Sequence, residues 1–277
     1  MSVKKGAEKA YKNLKFLNEP IARPIRILSE YFEPLNRLKK YGIQDTIVFF
    51  GSSRIRNHIE IMKEFKELNK RLEKSENNIN NLNKKIEELK IDQLMSRYYD
   101  DAVKLSYLIT KWSIKISKNQ RFVVCSGGGP GIMEAANKGA KQAGGRSIGF
   151  NISIPLEQKS NRYVSLPLDF EFHYFFMRKF WFVYLAKAMV MFPGGFGTLD
   201  ELMEVLTLLQ TKKIRKKIAI ILYGKDYWEQ VLNFNALLHF HMISKNDVKL
   251  FRFANKPQEA FTYIKNQITN YHLNSSY

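Results

Sequence analysis

Two hydrophobic periods alternate along this chain. Short, nearly unbroken apolar runs read as strands buried on both faces: TIVFFGSSR (46–54), RFVVCSGGG (121–129), RSIGFNISI (146–154), AMVMF (188–192) and KIAIILYG (217–224). Between them, segments with apolar residues three and four apart read as helices: SRYYDDAVKLSYLITKWSIKISK (96–118), GIMEAANKGAKQAG (131–144), the aromatic YFFMRKFWFVYLAK (174–187), residues 198–211, and DYWEQVLNFNALL (226–238). A last helix is expected near 257–269. Strands alternating with helices predict an α/β fold, a Rossmann-like open parallel sheet with right-handed crossovers and helices on both faces. The expected organisation is a basic arm and helix over 1–44 (RILSEYFEPLNRLKKYG at 26–42), a Rossmann-like domain over 45–270, and a polar tail over 271–277.

Residues 58–95 break this rhythm. Phe65, Leu68, Leu72, Ile79, Leu82, Ile86 and Leu89 follow a heptad spacing, with Ser75 where one apolar residue belongs. The segment holds eight Lys/Arg and eight Asp/Glu, so it adds nothing to the net charge. Its polar centre, SENNINN (75–81), predicts two helices folding back as a coiled-coil-like hairpin inserted in the domain, for packing, for assembly, or as plain surface decoration.

Composition narrows the classes. With 277 residues, 45% of them hydrophobic, the chain can bury a sizeable core. No apolar run approaches the roughly 20 residues of a membrane span, and the charged N-terminus has no apolar secretory core. A single cysteine, Cys125, excludes an internal disulfide and suits a reducing cytoplasm. A net charge of +19 favours anionic partners. The positive residues are dispersed, however, and the densest cluster (Lys212, Lys213, Arg215, Lys216, Lys217) reads as a solvated helix-to-strand connection. Nucleic acid is therefore disfavoured against a small phosphorylated ligand.

Two glycine-rich turns each follow a buried-type strand and open a helix: SGGGPGIMEA (126–135) and PGGFGTLDE (193–201). At strand carboxyl ends such turns let a ligand approach the backbone closely, and free N–H groups with the helix dipole favour an anion. There is no GxxxxGK[ST], and Ile132 stands where a GxGxxG motif needs its third glycine, so a mononucleotide fits better than NAD or FAD. Thr198 and Glu201 have the spacing of a capping box, which by itself would explain the glutamate. Arg178 and Lys179, on the aromatic helix, have solvation of one face as their plain role. His239 and His241 lack the further ligands that a metal site requires, so no metal is expected.

At these turns the chain resembles the LOG family, the "lonely guy" cytokinin-activating phosphoribohydrolases. GGGPGIMEAANKGA, MRK and PGGFGTLDE are similar to its motifs, and the signature PGGxGTxxE is matched in full from Pro193 to Glu201. The wording, with SIGFNISIPLEQ and LTLLQT, is closer to the longer bacterial branch, whose members are often labelled lysine decarboxylases. The resemblance implies hydrolysis of the N-glycosidic bond of a nucleoside 5′-monophosphate, AMP-like or a cytokinin nucleotide, to free base and ribose 5-phosphate, with no cofactor. Arg178 and Glu201 fall on the family's catalytic pair. Lys179, Gly194, Gly195, Gly197, Thr198 and Thr207 fall on nucleotide contacts, and Gly127, Gly128 and Gly129 form the second phosphate-binding turn. The plant-type motif has a His two residues before the Arg, where this chain has Phe176. The resemblance also implies a homodimer or larger homo-oligomer. The alternative reading is a non-catalytic carrier of the same fold, binding a nucleotide or the molybdenum cofactor.

Overall fold

The computed structural model describes residues 7–72, 79–118, 120–154 and 159–273. The chain enters through α1 (Leu14–Asn18) and α2 (Arg23–Lys40). It continues through β1 (Thr46–Phe50), α3 (His58–Leu72), α4 (Ile79–Ser117), β2 (Val123–Ser126), α5 (Ile132–Gln142) and β3 (Ser147–Ile152). Then come β4 (Asp169–Phe172), α6 (Phe175–Tyr184), β5 (Ala186–Met191), α7 (Phe196–Gln210) and β6 (Ala219–Tyr223). The last elements are α8 (Lys225–Val231), α9 (Phe234–His239), β7 (Phe251–Ala254) and α10 (Pro257–Ile268). The strands form one parallel seven-stranded sheet in the order β4-β3-β2-β1-β5-β6-β7. This is the expected Rossmann-like α/β architecture.

The unbroken apolar runs are explained by a core on each face of the sheet. In β1, Ile47 and Phe49 point into one core, together with Ala102, Leu105 and Ile109 of α4, Ala135 and Ala136 of α5, and Ile264 of α10. The alternate residues Val48 and Phe50 enter the other core, with Leu38 of α2, Trp181 and Phe182 of α6, Leu202 of α7 and Trp228 of α8. A strand covered on both sides has no polar face to show, so it carries no period-two signal. Trp228 also satisfies its indole N–H, which donates to the carbonyls of Met191 (3.0 Å) and Tyr223 (3.1 Å) and ties α8 to the ends of β5 and β6.

Several boundaries differ from expectation. The insertion is helical, and Ile61, Leu68 and Leu89 form its small core with Phe65, Leu82 and Ile86 packed against them. Its second arm does not stop at 95 but runs on as α4 into the helix expected at 96–118, because nothing between Ile79 and Ser117 (no Gly, no Pro) breaks it. The polar centre 75–81 lies largely outside the described residues, as do 155–158 and the end of the tail. The aromatic helix ends at Tyr184, since Ala186 and Lys187 already belong to β5. The helix expected over 226–238 is two, because Asn233 leaves helical geometry and its side chain caps α9 by accepting from the N–H of Ala236 (2.9 Å). Two four-residue edge strands, β4 and β7, were too short to give a periodic signal. Among the described residues no helix is long and apolar enough to cross a membrane.

Candidate active site

From β1 the sheet grows outward through β2, β3 and β4, and the chain then returns to place β5 on the other side of β1. The connections leaving β1 and β5 therefore diverge, which opens a crevice at the carboxyl ends of these strands. Backbone bonds sew its rim together: Ser52 N–H donates to Pro193 O (2.9 Å), and Ile132 N–H donates to Ser52 O (3.1 Å). The resulting cleft is about 720 Å³, walled by the turns after β1, β2 and β5, with Arg178 and Glu201 among the lining residues.

One wall is the start of α7. Gly195 is its N-cap residue, and no side chain caps it. The capping box is thus corrected: Thr198 is the third residue of the helix, and Glu201 lies inside it. Among the described residues, the N–H groups of Gly195, Phe196 and Gly197 make no hydrogen bond, while those of Thr198 and Leu199 turn back to Gly195 O (3.0 Å each). Three free donors at the positive end of a 15-residue helix make an anion cradle. Gly194 must be glycine here, because a Cβ would collide with the Thr198 hydroxyl oxygen. Its carbonyl is held in place by the Tyr227 hydroxyl, which donates to it (2.7 Å).

Freed from capping, Glu201 is buried (8% exposed), and its carboxylate has no hydrogen bond or ion pair among the described residues. Burial pushes its pKa up to about 7, against the pull of Arg178 and Lys179, which favour the charged form. Arg178, on α6, is fixed on two sides. Its Nε–H donates to Phe150 O (2.7 Å), and its guanidinium lies over the Phe182 ring, 5.1 Å from the centroid. Burial lowers its pKa, and Glu201 is the largest influence holding it up. Gly127 makes room for this cation: a Cβ there would stand 2.5 Å from Nη2 of Arg178 and 2.6 Å from Sδ of Met133. Gly127→Ala is therefore expected to displace the guanidinium and lower ligand affinity and any turnover about tenfold or more, at an overpacking cost of about 1–3 kcal/mol, which a melting curve would read.

Of the residues singled out in the sequence, Arg178, Glu201, Gly127, Gly194, Gly195, Gly197 and Thr198 converge on the cleft. The others do not line it. Lys179 is held in ion pairs with Asp200 (2.7 Å), which does line the cleft, and Glu204 (3.0 Å). The Thr207 hydroxyl donates to Met203 O within α7 (2.7 Å). Gly128 and Gly129 are packed behind the turn, their carbonyls accepting from the Asn161 amide (2.9 and 3.0 Å). Conversely, Ser52, Ser53, Arg54, Asn151 and Tyr227 line the cleft without having been singled out. The first three follow β1, the strand at the switch point, and that position was the signal available for them.

Fold and cleft define a doubly wound α/β protein with an anion cradle and a buried carboxylate at its switch point. Residues 133–264 match the family model described as "Possible lysine decarboxylase". Similar solved structures include the molybdenum cofactor binding protein from the phototrophic bacterium Rippkaea orientalis. It is 23% identical, with 62% of this chain and 88% of that one covered at a TM-score of 0.46. Another is the Moco carrier protein from Chlamydomonas reinhardtii, 17% identical, with 82% and 99% covered and a TM-score of 0.46. No curated protein matches the chain.

Proposed function

We propose that the protein hydrolyses the N-glycosidic bond of a nucleoside 5′-monophosphate, releasing the base and ribose 5-phosphate. The observation that carries this reading is Glu201: a buried carboxylate without a partner among the described residues, with its pKa at about 7, beside a fixed cation and lining the same cleft as the free amides of α7. A phosphate at those amides needs no carboxylate nearby, whereas a sugar that develops positive charge does.

The chemistry follows from these placements. The amides of Gly195, Phe196 and Gly197 bind the 5′-phosphate and fix the ribose, so binding energy is spent on position. The C1′–N bond breaks with its electron pair leaving on the base, and the ionised Glu201 stabilises the cationic sugar. Water adds its hydroxyl to C1′ while Glu201 takes the proton, which ends on the departing base; the role parallels that of carboxylates in glycoside hydrolysis. Arg178 keeps a useful fraction of Glu201 ionised near neutral pH. The decarboxylase description is not followed: that chemistry runs through a Schiff-base lysine, and no lysine is among the described residues lining the cleft.

Incubation with AMP, GMP, CMP and UMP, with ribose 5-phosphate assayed, tests the proposal. Release from at least one of them is expected. A protein that binds these nucleotides and releases none would instead be a carrier of the same fold.

A further inference from the structure

The turn after β1 contains two arginines, two residues apart, with different fates. Arg56 is committed: its Nη1 pairs with Glu64 (2.5 Å) and its Nη2 with Asp92 (2.7 Å), one carboxylate from each arm of the inserted hairpin. Arg54 is exposed, and its guanidinium has no hydrogen bond or ion pair among the described residues. Its backbone is nevertheless fixed. Arg54 N–H donates to the Ser52 hydroxyl (3.1 Å), the neighbouring Ile55 is buried at 6% exposure, and Ser52 is tied to Pro193.

Arg54 also stands where two cavities meet. A smaller chamber of about 210 Å³, walled by Ile55, Asp92, Met95 and Pro193, adjoins the main cleft. The two share Ser52, Arg54, Gly194, Gly195 and Tyr227 as lining residues. The shared wall therefore includes Gly195, whose N–H is one of the free donors of α7. The other charges lining the two cavities are engaged or buried: Asp200 pairs with Lys179, Asp92 pairs with Arg56, Arg178 has its Nε–H on Phe150 O and its guanidinium over Phe182, and Glu201 is buried. Among the described residues Arg54 is thus an exposed, uncommitted cation at the cradle, on a fixed backbone, with free volume on both sides for its side chain to move in.

We infer that Arg54 is the side-chain ligand of the substrate's 5′-phosphate, closing over the phosphate that the α7 amides hold from below. Arg54 then shares with the α7 amides the selectivity for phosphorylated nucleosides over nucleosides, and the hairpin matters to the site because it holds the Arg54 turn through Arg56. This rests on the proposed function only for the choice of nucleotide. A guanidinium matches a phosphate with two parallel N–H donors, which an ammonium does not.

The test is equilibrium binding of AMP and adenosine to wild type, Arg54→Ala and Arg54→Lys, read by calorimetry and independent of turnover. Arg54→Ala is expected to weaken AMP about 30-fold or more, as loss of a charged hydrogen-bond partner implies. Adenosine affinity and melting temperature should stay unchanged, and Arg54→Lys should recover part of the loss. If turnover occurs, KM should rise with kcat changed less than about threefold, the mark of uniform binding. AMP affinity within about threefold of wild type in Arg54→Ala, equal losses for AMP and adenosine, or no AMP binding by wild type would each overturn the assignment. Wild type that binds AMP through Arg54 without hydrolysing it would sink the hydrolase reading and leave Arg54 in place.

Discussion

Replacing Glu201 by Gln is expected to lower turnover about a thousandfold while nucleotide binding persists, the scale set by losing a carboxylate that stabilises charge and moves a proton. Gln is nearly isosteric and the Glu201 carboxylate has no hydrogen bond or ion pair among the described residues, so the cleft keeps its shape. Stability should move the other way. An isolated carboxyl titrates at 4.5, and in the folded protein Glu201 titrates at about 7. Between these values the native state holds more protons than the unfolded chain, so stability falls as pH rises through this window and the penalty is complete above about 7. Gln removes the penalty. At pH 8 the variant should be more stable by on the order of 2–3 kcal/mol, and at pH 4 it should equal wild type. Denaturant unfolding at the two pH values checks this. A variant less stable than wild type at both would mean that the carboxylate holds the fold together.

Arg178→Met should be nearly as damaging to turnover, about a hundredfold or more at neutral pH, for a different reason. If Glu201 acts as proposed, in its ionised form, activity in wild type should fall on the acid side with one ionisation near 7. Arg178 is the largest influence lowering that pKa, so removing it moves the ionisation upward and carries the acid limb of the pH–rate profile with it. Part of the lost activity should then return at higher pH. Lysine should rescue poorly, because it can neither donate as the Nε–H does to Phe150 O nor lie flat over Phe182. An acid limb unmoved in Arg178→Met would show that the arginine does not set the state of Glu201.

Much of this site was readable in the residues. The apolar runs ending in GSSR, SGGG and PGGFG placed three turns at strand carboxyl ends, and the doubly wound order brings them together. The role of Glu201 was not readable, because Thr-Leu-Asp-Glu spells a capping box as well as a site motif. What argues against the capping box is the actual start of α7 at Phe196, two residues before Thr198, with Gly195 as its cap. Lys179 was equally ambiguous: one residue along a helix is a rotation of about 100°, enough to put Arg178 on the cleft lining and Lys179 into ion pairs with Asp200 and Glu204. Arg54 and Arg56 look alike in sequence, and what distinguishes them is Asp92, brought across by the hairpin from 36 residues away. The continuity of α4 had a signal, the absence of Gly and Pro from 79 to 117, which the polar centre of the insertion obscured.

The most direct test is to give AMP to wild type and to Glu201→Gln under conditions where both bind it, and to measure adenine and ribose 5-phosphate together. Wild type should release the two in equal amounts and Glu201→Gln almost none. Bound AMP left intact by wild type, or equal release by both proteins, would contradict a buried carboxylate acting at the sugar.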